Sequence, residues 1–254
     1  MLLHYTDCGS GDPIVLLHGI VGSGRYWDKF KTYIVRKRVI TVDLMGFGQS
    51  QMPKTVDYTY ESHIQSIIET LDYLKVNQPI TIVGHSMGAL LALRLAVMHP
   101  EKVVKLVLIG MPIYTDAVSA RKAITGSKLR NKLAFYGPTS HVLCTAWCRV
   151  LRPLSKRIAP YYLKHVPKTV AHDSVFHTWQ SYSQSMNNVI ENQQVAEDIT
   201  ELNIPVTLFY GNKDVPVALD KLDILHISKY IKIFILEGTH QIVYEHPSEI
   251  ARSI

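Results

Sequence analysis

The chain has 254 residues, 47% of them hydrophobic, which suits one domain of the α/β type with a large buried core. Its first dozen residues lack a basic stretch followed by an apolar run. Its most apolar segment, residues 89–98, is broken by Arg94 and falls short of the about 20 residues that cross a bilayer, so a soluble, cytoplasmic protein is expected.

The net charge of +6 is uneven. Between residues 111 and 165 stand ten bases, Arg121, Lys122, Lys128, Arg130, Lys132, Arg149, Arg152, Lys156, Arg157 and Lys164, against one acid, Asp116. The rest of the chain is net negative.

In chain order, short β-branched runs predict strands over residues 14–17, 39–42, 80–83, 106–109, 206–210 and 231–236. Most are apolar on both faces, as buried parallel strands are. Ile64, Ile67, Ile68, Leu71 and Leu74 recur at helical spacing and predict a helix over 60–74; another spans 87–99 and is closed by Pro100. Alternating strands and helices imply a doubly wound parallel sheet. The gap after residue 110 is too long for a crossover loop. It is read as a helical lid over 111–188, inserted into a core domain of residues 1–110 and 189–254, with a helix over 189–202 returning to the sheet.

The central motif is Gly84-His85-Ser86-Met87-Gly88, between a predicted strand and a predicted helix. There a serine is held in a strained turn above the sheet, and its glycines let neighbouring backbone pass close by. The plain alternative is a serine that merely caps the helix. A serine hydroxyl needs a base to act as a nucleophile. His240 follows the strand at 231–236 through Glu237-Gly238-Thr239, which places it at the carboxyl edge of the sheet, where open α/β sheets bind ligands. Asp214 follows the strand at 206–210 and serves as the orienting acid, with Asp116 and Asp173 as alternatives. Among the other histidines, His99, His172, His177, His226 and His246 are expected at the surface or in the lid.

The loop after the first predicted strand reads His18-Gly19-Ile20-Val21-Gly22-Ser23-Gly24. The backbone amides of Ile20 and Met87 are the expected pair of oxyanion donors. A dinucleotide-type glycine loop would need a third glycine where Trp27 stands. Of the three cysteines, Cys144 and Cys148 sit four apart, on one helical face. A metal site would want more ligands nearby, so no metal is expected and both are read as buried thiols.

His18-Gly19, Asp43-Leu44-Met45-Gly46-Phe47-Gly48-Gln49-Ser50, Gly84-His85-Ser86-Met87-Gly88, Gly211-Asn212-Lys213-Asp214 and Gly238-Thr239-His240 together resemble the α/β-hydrolase family. The likeness is closest to its small microbial esterase and C–C hydrolase branch. It implies a mostly parallel sheet of about seven strands with an inserted helical cap, and no cofactor. It also implies that Asp43, with His18, Gly19, Gly84, His85 and Gly88, supports the loops around the site. The chain starts near the second strand of the family pattern, so the first strand is expected to be missing or very short. Members that cleave C–C bonds often carry Trp after the catalytic His, where this chain has Gln241; dehalogenases and epoxide hydrolases carry Asp in place of Ser86.

The expected function is hydrolysis of a small carboxylic ester through an acyl-enzyme. The alternatives are C–C hydrolysis of meta-cleavage-type diketo acids, a lysophospholipase or monoacylglycerol-type lipase, and a non-catalytic ligand binder. The lid combines its bases with Tyr114, Phe135, Tyr136, Trp147, Tyr161 and Tyr162. It could draw an anionic substrate or rest on an anionic membrane and favour a lipid-like ester. The bland alternative is a solvated face. No nucleic-acid partner is expected, and the sequence is silent between monomer and dimer.

Overall fold

Every residue of β2 (Pro13–Leu17) is buried, and successive side chains enter two different cores. Val15 and Leu17 face one side of the sheet, Ile14 and Leu16 the other. That is the signature of a strand covered by helices on both faces. The structure is a computed structural model that describes residues 1–125, 136, 138–163, 166–214 and 229–254.

Seven strands form one sheet in the order β1-β3-β2-β4-β5-β6-β7, with β1 (Tyr5–Gly9), β3 (Arg38–Val42), β4 (Ile80–His85), β5 (Val103–Ile109), β6 (Val206–Gly211) and β7 (Ile231–Leu236). All neighbours are parallel except β1, which pairs antiparallel with β3. β1 was absent from the sequence-based set. Its side chains are mostly exposed, so it has no apolar run, and its edge position is fixed by backbone pairing and the Arg38–Asp7 ion pair.

One core packs the sheet against α1 (Tyr60–Tyr73) and α2 (Met87–Met98), with Ile64, Ile67, Leu91 and Leu95 fully or nearly fully buried. The Thr59 side chain caps α1 by accepting from the Ser62 amide. The opposite core gathers Trp27, Phe30, Val83, Val107 and Phe209 with Ile242, Val243 and Ile250 from the C-terminal helices.

Between β5 and β6 the described residues are mostly helical. They form α3 (Ala117–Thr125), α4 (Pro138–Thr145), α5 (Arg152–Tyr162), α6 (Lys168–Asp173), α7 (Trp179–Ser185) and α8 (Val195–Glu201), with π-helical turns at Ala146–Val150 and Met186–Glu191. The single helix expected over 189–202 is therefore two pieces, a π-helical turn ending at Glu191 and α8 starting at Val195. Arg94 on α2 pairs with the buried Asp198 on α8, which ties the helix leading into β6 to α2. Lys128, Arg130, Lys132, Phe135, Lys164 and His226 lie outside the described residues. Among the described residues no helix is long and apolar enough to cross a membrane.

Candidate active site

Ser86, Asp214 and His240 follow the carboxyl ends of β4, β6 and β7, three strands of one parallel sheet. The Ser86 backbone sits at φ 54°, ψ −120°, a conformation that L-residues adopt only under constraint. The constraint comes from both sides of the turn. The Ser86 amide donates to the Ile109 carbonyl at 2.9 Å, and its own carbonyl accepts from Ala89 and Leu90. A Cβ on Gly88 would lie 2.3 Å from the Leu17 carbonyl oxygen, so only glycine lets α2 begin this close to β2.

His240 Nδ1 lies 2.9 and 3.0 Å from the two carboxylate oxygens of Asp214, whose side chain is fully buried. With Nδ1–H donating to Asp214, Nε2 of the ring is left as the acceptor. Three further groups hold His240 in place. His85 Nε2–H donates to the His240 carbonyl at 2.9 Å. Glu245 accepts from the Thr239 amide and hydroxyl, both at 2.8 Å, and so locks the turn that leads into His240. Gly110, at φ +54°, comes so close to the pair that a Cβ there would stand 3.1 Å from the His240 ring and 3.2 Å from Asp214 Oδ2.

The loop after β2 lies against the serine: a Cβ on Gly19 would be 3.1 Å from Ser86 Cβ. His18 sets the orientation of that loop. Its Nε2 accepts from the Leu44 amide at 2.9 Å, so Nδ1 carries the proton and donates to the Gly19 carbonyl at 2.7 Å. A trans peptide points its N–H opposite its C=O, so anchoring the Gly19 carbonyl turns the Ile20 amide the other way. Burial lowers the pKa of His18 despite the nearby Asp43, and burial followed by repulsion from His240 takes that of His85 well below the ordinary imidazole range. Both rings are thus fixed neutral hydrogen-bonding parts.

Asp43 accepts from the Gly24 amide at 2.6 Å and the Gln49 amide at 2.7 Å, joining the loop after β2 to the loop after β3. The two alternative acids are engaged elsewhere. Asp116 accepts from Ser119, and buried Asp173 is held by Ser23, Arg25 and His172. Glu245 and Gly110 were missed from sequence. Glu245 acts through Thr239, six residues before it, and Gly110 carries no side chain to suggest a role.

His177, expected at the surface or in the lid, lies in the insert and is buried there. It stands beside Cys144 and Cys148, two thiols that on sequence had too few ligands near them. The third donor comes from 29 residues further along, a separation that spacing alone does not reveal.

The family pattern of the alpha/beta hydrolase fold matches residues 12–247. Among curated relatives, the chain is 25% identical over 235 residues to a protein described as "Probable lysophospholipase BODYGUARD 5" from Arabidopsis thaliana, covering 83% of this chain and 53% of that one. It is 35% identical over 108 residues to 2-hydroxy-6-oxo-2,4-heptadienoate hydrolase from Pseudomonas putida, covering 41% of this chain and 39% of that one. The chain thus matches about half or less of the length of these relatives. A solved bromoperoxidase from Bacillus anthracis superposes with a TM-score of 0.74 at 22% identity, over 98% of this chain and 92% of that one, a likeness of fold. The strained serine turn, the strand order and a family match that runs through nearly every strand agree: this chain belongs to the alpha/beta hydrolase fold family.

Proposed function

We propose that the protein is a serine hydrolase that cleaves a carboxylic ester of modest size through an acyl-enzyme. The observation that carries the reading is His240, bonded through Nδ1 to buried Asp214 and through its carbonyl to His85, the residue before Ser86. In this reading Ser86 Oγ attacks the ester carbonyl while His240 Nε2 takes its proton. The oxyanion is received by the amides of Ile20 and Met87, each typically worth about 3 kcal/mol in the transition state. His240 then protonates the leaving alcohol, and water, activated by the same imidazole, releases the acid and restores Ser86. The helices within residues 111–188 act as the lid that shapes the acyl and leaving-group pockets.

Supporting the lid role, a cavity of about 320 Å³ is lined by Val21 of the loop after β2 together with Leu143, Trp147, Val175 and Trp179 from the insert. The test is turnover of chromogenic esters of graded acyl length. Wild type hydrolyses short esters and Ser86→Ala loses activity while remaining folded; ester turnover that survives in Ser86→Ala would end the proposal.

A lipid-like substrate is favoured by one observation. The insert exposes Val142, Leu143, Trp147, Val150, Leu154, Tyr161 and Tyr162 beside the exposed cations Arg149 and Arg157. Clustered exposed apolar side chains edged by cations suit an anionic lipid surface, and the Arabidopsis relative is described as a lysophospholipase. Co-sedimentation with anionic vesicles at low salt, lost at high salt, is expected; no sedimentation at low salt removes this version. The Pseudomonas relative's name makes diketo acids the rival substrates, and turnover of such acids without ester turnover would replace the ester reading.

A further inference from the structure

The insert holds a second cluster of reactive side chains, distinct from Ser86, Asp214 and His240. Cys144 lies on α4, Cys148 on the π-helical turn that continues it, and His177 on the segment between α6 and α7. His177 Nε2 is 3.4 Å from Cys144 Sγ and 3.5 Å from Cys148 Sγ, and the three donor atoms lie within 4.8 Å of one another. Among the described residues the ring makes no other hydrogen bond, and its Nδ1 is buried without a partner. The imidazole is therefore committed to the two sulfurs alone.

We propose that Cys144, Cys148 and His177 bind one zinc-type divalent ion as a dithiolate–imidazole site, with the fourth position facing the adjoining cavity. The spacing fits. A tetrahedral ion with bonds of about 2.3 Å to sulfur and about 2.05 Å to nitrogen holds each sulfur about 3.6 Å from the nitrogen. The observed separations, 3.4 and 3.5 Å, need only a small outward movement to admit the ion. The donor set is right for zinc, since thiolate and imidazole are its usual ligands and hard, oxygen-preferring cations avoid them.

Binding displaces the thiol protons to solvent and leaves two thiolates and a neutral imidazole on a divalent ion, a complex of zero net charge. A neutral complex answers the objection that the site sits in a basic segment, where Arg152 donates to the Cys148 carbonyl. A cavity of about 410 Å³ opens beside Cys144 and His177 and is also lined by His141, three residues before Cys144 on α4. Its opening gives the ion a route in and its fourth ligand, water or the His141 ring.

The site would also brace the insert. The His177 backbone bridges to Phe47, in the loop that Asp43 anchors. An ion shared by His177 and the two cysteines would therefore fasten α4 and the turn after it to the core.

The test uses the whole chain, reduced and stripped with a chelator under nitrogen, then titrated with Co²⁺ as the probe. Expected are thiolate-to-cobalt charge-transfer bands with the intense visible spectrum of a tetrahedral ion, saturating at one equivalent and abolished by added Zn²⁺. Zn²⁺ should raise Tm. Cys144→Ser, at a half-buried position, and His177→Gln should each weaken binding at least about tenfold, while Cys8→Ser, at an exposed remote position, leaves it unchanged. If His177→Gln fails to fold, Cys144→Ser decides. Reduced wild type without thiolate bands, or Cys144→Ser with undiminished bands, overturns the site. No readout involves catalysis, so the result is independent of the ester proposal.

Discussion

His85 and His240 are joined twice: the His85 Nε2–H donates to the His240 carbonyl at 2.9 Å, and their rings lie 4.7 Å apart. On its far side His85 stacks on Tyr26 at 4.6 Å and 21°. Because His85 directly precedes Ser86, one side chain sets the distance between the strained serine turn and the His240 loop. Removing it leaves a carbonyl without its donor and lets His240 shift. His85→Ala should therefore lower kcat by about 10- to 100-fold with an unchanged far-UV spectrum, since misplacement by about 1 Å typically costs that much. His85→Gln, whose amide can still donate, should recover part of the loss. Equal kcat in wild type and His85→Ala would remove the positioning role.

Gly110 is the second such contact. An alanine there would face both an unfavourable positive φ and a methyl about 3.1 Å from the His240 ring. Gly110→Ala should cost about 1–2 kcal/mol in stability from the backbone alone. It should cost proportionally more in kcat, by displacing the ring from Asp214. Denaturant melts and steady-state kinetics on one preparation separate the two effects.

Asp43 answers two backbone amides and is nearly fully buried, although it lies outside the proposed chemistry. Asp43→Ala strands both donors, and each buried unsatisfied donor costs about 1–3 kcal/mol. A loss of about 2–5 kcal/mol is expected, read as a lower denaturation midpoint.

The placement of the candidate site residues was legible where an apolar run precedes them. Ser86, Asp214 and His240 each follow an apolar run, so periodicity located their strands and, with them, their common edge. It failed where a role depends on an element without an apolar signal. β1 is an exposed edge strand, and the helix expected over 189–202 breaks after Glu191 although its apolar residues continue. It failed again where partners are distant in the chain. The Cys144–Cys148 pair looked short of ligands because His177 lies 29 residues beyond Cys148, and Glu245 reaches Thr239 from six residues away.

Acid should destabilise the fold in a way traceable to one residue. His63 is fully buried, with Nε2 3.1 Å from Ser185 Oγ, and burial, followed by repulsion from His18, lowers its pKa from 6.5 to about 3. Between those values the unfolded chain binds a proton that the folded chain does not, so stability is full above pH 6.5 and falls as the pH drops toward 3. At pH 5 the loss from this residue alone is about 2 kcal/mol. His18 and His85, also lowered by burial, act in the same direction. Urea midpoints should drop between pH 7 and pH 5, and less steeply in His63→Gln; parallel slopes would assign the acid sensitivity elsewhere.

A hydroxyl that is truly activated reacts with an electrophile that ordinary serines ignore. The deciding measurement is labelling of the intact protein with a fluorophosphonate, followed by peptide mass spectrometry. One adduct is expected, on the peptide holding Ser86, with labelling strongly slowed in His240→Ala. A protein that stays unmodified, or that carries the adduct on another residue, would contradict the serine hydrolase proposal.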